Sequence, residues 1–236
     1  MIPARYASTR LPGKPLALIH GKPMIQHVYE RTRAVDLIDR VVVATDDMRV
    51  AAAVHAFGGD VVMTSAQHQS GTDRIAEAAA VLDAEIVVNV QGDLPFLRVD
   101  TVAGALQLMR ADAMLPMATV KTPLRDREEM VNPNVVKVVT DRDGYALYFS
   151  RSPLPYWRSA APNGLGYRHI GLYAYRREFL LRFARLTPTP LECAEKLEQL
   201  RALEWGFRIK VAESACEGIE VDTPQDLERA RAFAAG

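Results

Sequence analysis

Short β-branched runs alternate along this chain with Ala-rich segments of helical period. Val41 to Thr45 reads as a buried strand ending in Asp46-Asp47, and Glu85 to Val90 as a second ending in Gln91-Gly92-Asp93. Between them the pattern predicts helices over Met48 to Phe57 and Thr72 to Leu82, with Gly58-Gly59 stopping the first and Asp60 to Met63 left as a short strand. Met117 to Val120 is a further apolar run. Beyond it, Val135 to Thr140 and Tyr145 to Ser150 flank Asp141-Arg142-Asp143-Gly144, and an Asp-Gly turn between two apolar runs predicts a hairpin. Strands alternating with helices predict an α/β sandwich around a mainly parallel sheet.

Two helix starts are written out in full. Thr189-Pro190-Leu191-Glu192 sets Thr at the N-cap, Pro at the first helical position and Glu at the third, a capping box. Thr223-Pro224-Gln225-Asp226 repeats the device for the last helix, with Asp222 just before the cap. Pro153, Pro155, Pro162, Asn163, Gly164 and Gly166 mark a loop-rich, mobile stretch. With no repeat and no low-complexity linker, the second half reads as an insertion and edge of one domain spanning 1–236.

Composition narrows the function. Lys plus Arg and Asp plus Glu both number 29 in 236 residues, so the net charge is zero, which disfavours a phosphate-neutralising nucleic-acid binder. No apolar run approaches the ~18 residues of a membrane span. Arg5, Arg10 and Lys14 interrupt any N-terminal signal segment, and two isolated cysteines make neither a disulfide framework nor a zinc site. The expectation is a soluble cytoplasmic enzyme. The neutrality is global only: the first 29 residues hold Arg5, Arg10, Lys14 and Lys22 and no acid.

That cationic pole falls in Ile2-Pro3-Ala4-Arg5-Tyr6-Ala7-Ser8-Thr9-Arg10-Leu11-Pro12-Gly13-Lys14-Pro15-Leu16. An apolar start followed by a loop of hydroxyls, glycine and cations suits a triphosphate at a strand's C-terminal end; a solvated basic loop is the plain alternative. Neither a P-loop nor G-x-G-x-x-G is present. Asp93 also ends a strand, where carboxylates face the ligand crevice of α/β sheets, although an aspartate there can simply cap a helix. Asp93 and Asp222 together would suit Mg²⁺, which takes one or two carboxylates plus substrate phosphates. His68-Gln69-Ser70-Gly71-Thr72-Asp73-Arg74 opens a helix, either as a plain cap (Ser70 or Thr72) or as a base- or phosphate-recognising turn.

Taken together these segments resemble the 3-deoxy-manno-octulosonate (KDO) cytidylyltransferase family, nearly end to end. The likeness extends through Gly21 to Ile25, Val43 to Asp46, Asn89 to Asp93, Asn132 to Val138, Gly144 to Arg151, Arg168 to Tyr173, Leu197 to Arg201 and Val221 to Pro224. It implies a three-layer α/β sandwich around a Rossmann-like mixed sheet of the nucleotide-diphospho-sugar transferase type, with an inserted hairpin subregion. It implies CTP on Pro3, Ala4, Arg5, Ser8, Arg10 and Lys14, with Ser70, Gly71 and Arg74 helping to select cytosine. It implies Mg²⁺ on Asp93 and Asp222, and a KDO pocket of Gln91, Arg151, His169, Tyr173, Glu198 and Gln199. Arg10, Lys14, Asp93 and Asp222 would be the catalytic set. The implied reaction is in-line attack of the sugar's anomeric hydroxyl on the α-phosphorus of CTP, serving lipopolysaccharide synthesis. A homodimer is implied, through the hairpin region, with about 130–185 as the dimerisation and sugar-binding subregion.

Two departures are visible. Family members commonly have Glu after Gln-Gly-Asp, where this chain has Leu94, either altering sugar choice or facing away. They also carry more apolar residues before Ile2, so the first strand is expected to be short and poorly paired, and a start slightly upstream would lengthen it. The rivals are a cytidylyltransferase for another acidic sugar, such as 8-amino-KDO or a sialic-type acid, and a non-catalytic nucleotide-binding regulator.

Overall fold

A computed structural model describes residues 1–7, 11–158, 166–215 and 220–233. In chain order the elements are β1 (Ile2–Ala4), β2 (Leu18–Ile19), β3 (Lys22–Pro23), α1 (Met24–Arg33), β4 (Val42–Thr45), α2 (Met48–Ala56), β5 (Asp60–Met63), α3 (Gly71–Ala80) and β6 (Ile86–Asn89). They continue with α4 (Val99–Ala111), β7 (Met117–Pro123), α5 (Arg127–Val131), β8 (Lys137–Thr140), β9 (Ala146–Ser150), β10 (Tyr167–Arg176), α6 (Arg177–Phe183) and α7 (Pro190–Glu195). The last are α8 (Gln199–Glu204), β11 (Ile209–Glu213) and α9 (Pro224–Phe233). The chain divides into two compact units, Met1–Ala103 with Glu217–Gly236, and Gly104–Cys216.

The first unit is built on parallel strands in the order β1-β4-β5, with Ile2 opposite Val43 and Val43 opposite Val61. All four β4 residues are buried, which is why the run is continuously apolar instead of alternating. β1 is short, as expected, but it is bonded on both sides. Away from β4, the Met1 ammonium donates to Val88 O at 2.6 Å and Val90 N–H donates to Met1 O at 3.0 Å. Helix starts follow local chemistry: Asp47 accepts from Arg49 N–H at the head of α2, and Ser70 accepts from Asp73 N–H at the head of α3. The Ser70 cap explains why α3 starts at Gly71, one residue before the expected position.

The C-terminal segment returns to this unit because α9 carries an apolar face. Val221, Leu227 and Ala230 pack with Ile19 and Met24, and Phe233 meets Phe96 edge-on at 5.0 Å. The Thr223 box forms reciprocally: Asp226 accepts from Thr223 N–H at 2.9 Å and donates its own N–H to Thr223 Oγ1 at 3.2 Å.

The second unit has the strand order β11-β7-β10-β8-β9, parallel between β11 and β7 and antiparallel in the other pairs. The expected hairpin is β8–β9. Gly144 takes φ +76°, and Asp141 Oδ1 accepts from Tyr145 N–H at 2.8 Å to close the turn. β8 starts at Lys137, two residues later than the pattern suggests, because the preceding residues curl. Val135 N–H bonds Asn132 O, and the wholly buried Lys137 Nζ donates to Asn132 O, Val135 O and Arg151 O at 2.9, 2.5 and 2.6 Å. At the head of α7, Glu192 accepts from Thr189 N–H at 3.3 Å and also pairs with Arg201. The loop expectation at 162–164 lies outside the described residues. No helix among the described residues is long and apolar enough to cross a membrane.

Candidate active site

One cavity of the first unit collects most of the residues singled out in its sequence. It is lined by Pro3, Ala4 and Arg5 at the end of β1, by Lys14 and Pro15, by His68 to Gly71 and Arg74 around the head of α3, by Gln91 to Asp93 after β6, and by Asp222 before α9. Ser8 and Arg10 lie outside the described residues. This is the C-terminal end of the parallel strands, where a ligand crevice is expected in an open α/β sheet.

Two glycines shape the approach. Gly13 takes φ +70° and stacks so near Tyr6 that a Cβ would sit 3.2 Å from its ring. Its N–H also donates to Tyr6 O at 3.1 Å, which closes the N-terminal loop and aims Lys14 inward. At Gly92 a Cβ would lie 3.0 Å from Pro3 O, so glycine lets this turn press against the end of β1 with no shift of that backbone.

Asp93 caps no helix, since α4 starts only at Val99. Instead, Val221 N–H donates to Asp93 O at 2.9 Å and brings the C-terminal segment alongside. Asp93 and Asp222 therefore converge. Lys14 Nζ lies between them, donating to Asp93 Oδ2 at 2.7 Å and to Asp222 Oδ1 at 2.9 Å. Burial opposes charging of this ammonium, but the two carboxylates outweigh it and hold its pKa above the usual lysine value. Glu220 joins them: Asp93, Glu220 and Asp222 each offer a carboxylate oxygen within 4.8 Å of the others. Sequence reading missed Glu220, although a spacing of two from Asp222 was the available signal. Three hard oxygen donors this close together, two of them already on a cationic group, fit a divalent ion such as Mg²⁺.

Arg74 is buried and held by Thr64 Oγ1 at 2.6 Å and Asp46 Oδ2 at 3.3 Å; Asp46 Oδ1 is buried with no hydrogen-bond partner among the described residues. His68 Nε2 contacts Glu77, whose carboxylate accepts from Ser65 N–H at 2.9 Å and lies below its ordinary pKa because of that bond and His68. Gln91 Nε2 reaches Asn89 Oδ1 at 3.4 Å. Leu94 is buried and does not line the cavity.

The remaining predicted sugar residues lie in the second unit. His169 is buried, bonds Thr119 Oγ1 at 2.8 Å through Nε2, and meets the rings of Phe149 and Tyr173 at 5.0 and 5.3 Å. Burial, aided by Arg168, pushes its pKa down to about 3, so it is a neutral imidazole at pH 7. Burial and then Glu198 raise the Tyr173 phenol. Gln199 is buried at the start of α8, and its side-chain nitrogen has no partner among the described residues. The Arg151 guanidinium donates to Glu195 O at 2.7 Å and Pro133 O at 2.9 Å.

A cationic loop, a capped turn with a buried arginine and a carboxylate cluster, all at the ends of parallel strands, define a nucleotide-handling α/β protein. The cytidylyltransferase family model matches residues 1–210. The 3-deoxy-manno-octulosonate cytidylyltransferase of Geobacter metallireducens is 59% identical over 97% of this chain and 94% of its own length. That of Geobacter sulfurreducens is 56% identical over 97% and 96%. A solved CMP:2-keto-3-deoxy-manno-octonic acid synthetase in complex with CTP superposes with a TM-score of 0.95 at 50% identity, over 99% of this chain and 96% of that one. A 4-diphosphocytidyl-2C-methyl-D-erythritol synthase from Anaerococcus prevotii, at TM-score 0.65 and 14% identity over 100% and 97% of the two chains, shares the fold. The chain belongs to the 3-deoxy-manno-octulosonate cytidylyltransferase family.

Proposed function

We propose that this chain transfers CMP from CTP to the anomeric hydroxyl of KDO, releasing pyrophosphate and forming CMP-KDO for lipopolysaccharide synthesis in the cytoplasm. The observation that carries the reading is the convergence of Lys14, Asp93 and Asp222 in one cavity with the β1 end and the head of α3. Pro3, Ala4 and Arg5 would border the nucleotide, with Ser8, Arg10 and Lys14 on its triphosphate and Ser70, Gly71 and Arg74 on the base. Arg74 suits that task because Thr64 and Asp46 hold its guanidinium in place. Arg10 and Lys14 would offset charge on the departing pyrophosphate.

Asp93 and Asp222, with Glu220 beside them, would hold Mg²⁺, which when bound lowers the pKa of an attacking hydroxyl and offsets phosphate charge. Gln91, Arg151, His169, Tyr173, Glu198 and Gln199 would line the sugar site. His169 as a neutral imidazole and Tyr173 as a neutral phenol would act there as hydrogen-bonding groups and not as charges. The proposal includes a homodimer with about 130–185 as its dimerisation and sugar-binding part, which light scattering tests.

The test is pyrophosphate release with each of CTP, ATP, GTP and UTP, run with KDO, 8-amino-KDO and a sialic acid. CTP with KDO should give the highest kcat/KM. Preference for the amino sugar would transfer the reading to the rival specificity, and release with no pair would leave the regulator. Leu94 is packed away from the cavity, so from there it does not select between these sugars.

A further inference from the structure

The carboxylates at the centre of the cavity are bridged by a cation of the chain itself. Two of the three N–H donors on Lys14 Nζ are spent on Asp93 and Asp222, at 2.7 and 2.9 Å. The three side chains are largely shielded, with 17, 20 and 25% of their surface exposed for Lys14, Asp93 and Asp222. A third carboxylate, Glu220, has an oxygen within 4.8 Å of theirs. Like charges this close repel strongly in a part-buried setting, so the cluster requires positive charge to hold its shape. The ammonium supplies it from a residue fixed by the left-handed Gly13 before it and the buried Pro15 after it.

An ammonium and a divalent ion held at the same two oxygens repel each other and compete for them. Mg²⁺ takes carboxylate oxygens as its ligands, so it would compete with the ammonium for Asp93 Oδ2 and Asp222 Oδ1. We propose that Lys14 is the built-in counter-cation of this site: in the nucleotide-free protein it keeps Asp93 and Asp222 together and closed to divalent ions until a triphosphate draws the ammonium away. One lysine thereby serves two anions in turn. Each triphosphate that takes Lys14 frees the carboxylates, so nucleotide and metal assist each other's binding, and by linkage the assistance is mutual. The inference rests on the reading of Asp93 and Asp222 as cation ligands, and it goes beyond that reading in giving Lys14 a place between them.

Mn²⁺ binding to the nucleotide-free protein, followed by the paramagnetic resonance signal of the free ion, separates the two ideas. Lys14→Met should bind Mn²⁺ about 10-fold more tightly than the unsubstituted chain, within the usual span of coupling between sites. Adding Asp93→Asn to Lys14→Met should abolish the gain. Equal or weaker binding by Lys14→Met, with Asp93→Asn still weakening binding to the unsubstituted chain, overturns the counter-cation and leaves the metal reading standing. If Asp93→Asn changes nothing in either background, the metal reading fails and the counter-cation with it. A second measurement uses the unsubstituted chain. Acetylation of Lys14, read by peptide mass spectrometry, should stay unchanged when Mn²⁺ is added without nucleotide at concentrations that fill the Lys14→Met site, and a rise in yield counts against the proposal.

Discussion

Each unit of this protein holds a shielded lysine, and the two are held in opposite ways. Lys14 in the first unit is held by two carboxylates, and they keep its pKa up against the effect of burial. Lys137 in the second unit is held by three backbone carbonyls, and burial wins, pushing its pKa down. Side-chain carboxylates can rotate or accept another cation. Backbone carbonyls of a turn cannot leave without undoing the turn. The first arrangement suits a site that exchanges its cations; the second ties together Asn132, Val135 and Arg151 for good.

The largest effect that sharpens this contrast is on turnover. Asp93→Asn should lower kcat in the pyrophosphate assay about 10³-fold, with binding of a CTP analogue largely retained and little change in stability. Unchanged turnover would remove Asp93 from the chemistry. Next comes stability measured in urea. Lys137→Met leaves three carbonyls without their donor and should cost about 3 kcal/mol. Lys14→Met should cost about 1 kcal/mol, recoverable by adding Mg²⁺, because a free ion can replace one ammonium between carboxylates but not one buried under a turn. Equal costs, or rescue of both, would break the comparison.

The third effect is pH-dependent. His169 titrates near 3 when folded and near 6.5 when its imidazole is fully solvated, so between these values the unfolded chain binds the additional proton. Stability should therefore fall as pH drops from about 6.5 to about 3, and His169→Gln should flatten that part of the urea midpoint-against-pH curve. An unaltered slope in the variant would show that other groups cause the loss. The smallest effect concerns Arg74. Asp46→Asn weakens one of its two side-chain holds and should raise KM for CTP about 3-fold with kcat retained, within the range of a single surface-shielded ion pair. A fall in kcat without a KM change would contradict a positioning role.

Much of the fold was legible from local chemistry. β5 falls on Asp60–Met63 as read, and α7 and α9 begin at Pro190 and Pro224 after their Thr residues, because capping is settled within four residues of sequence. The hairpin was legible too, since its turn needs only Asp141 and Gly144. Strand limits were less so. β8 loses two residues to a curl made by a lysine whose partners lie as far off as Arg151, and β1 finds its second neighbour at Val88 and Val90.

The sequence by itself determined the kinds of groups available: a cationic, acid-free first 29 residues, carboxylates at strand and helix boundaries, and a capped turn carrying Arg74. Only the tertiary structure decided that these groups meet. Lys14 reaches Asp93 across 79 positions and Asp222 across 208, and Glu220 enters the cluster beside them. Periodicity and capping are near-neighbour effects and carry no information at those separations. The meeting depends on α9 burying its apolar face against Ile19 and Met24, and on Gly92 letting the backbone press against Pro3. Burial of apolar surface carries the C-terminal segment home, and the Asp222 carboxylate it brings along comes to rest against the lysine already there.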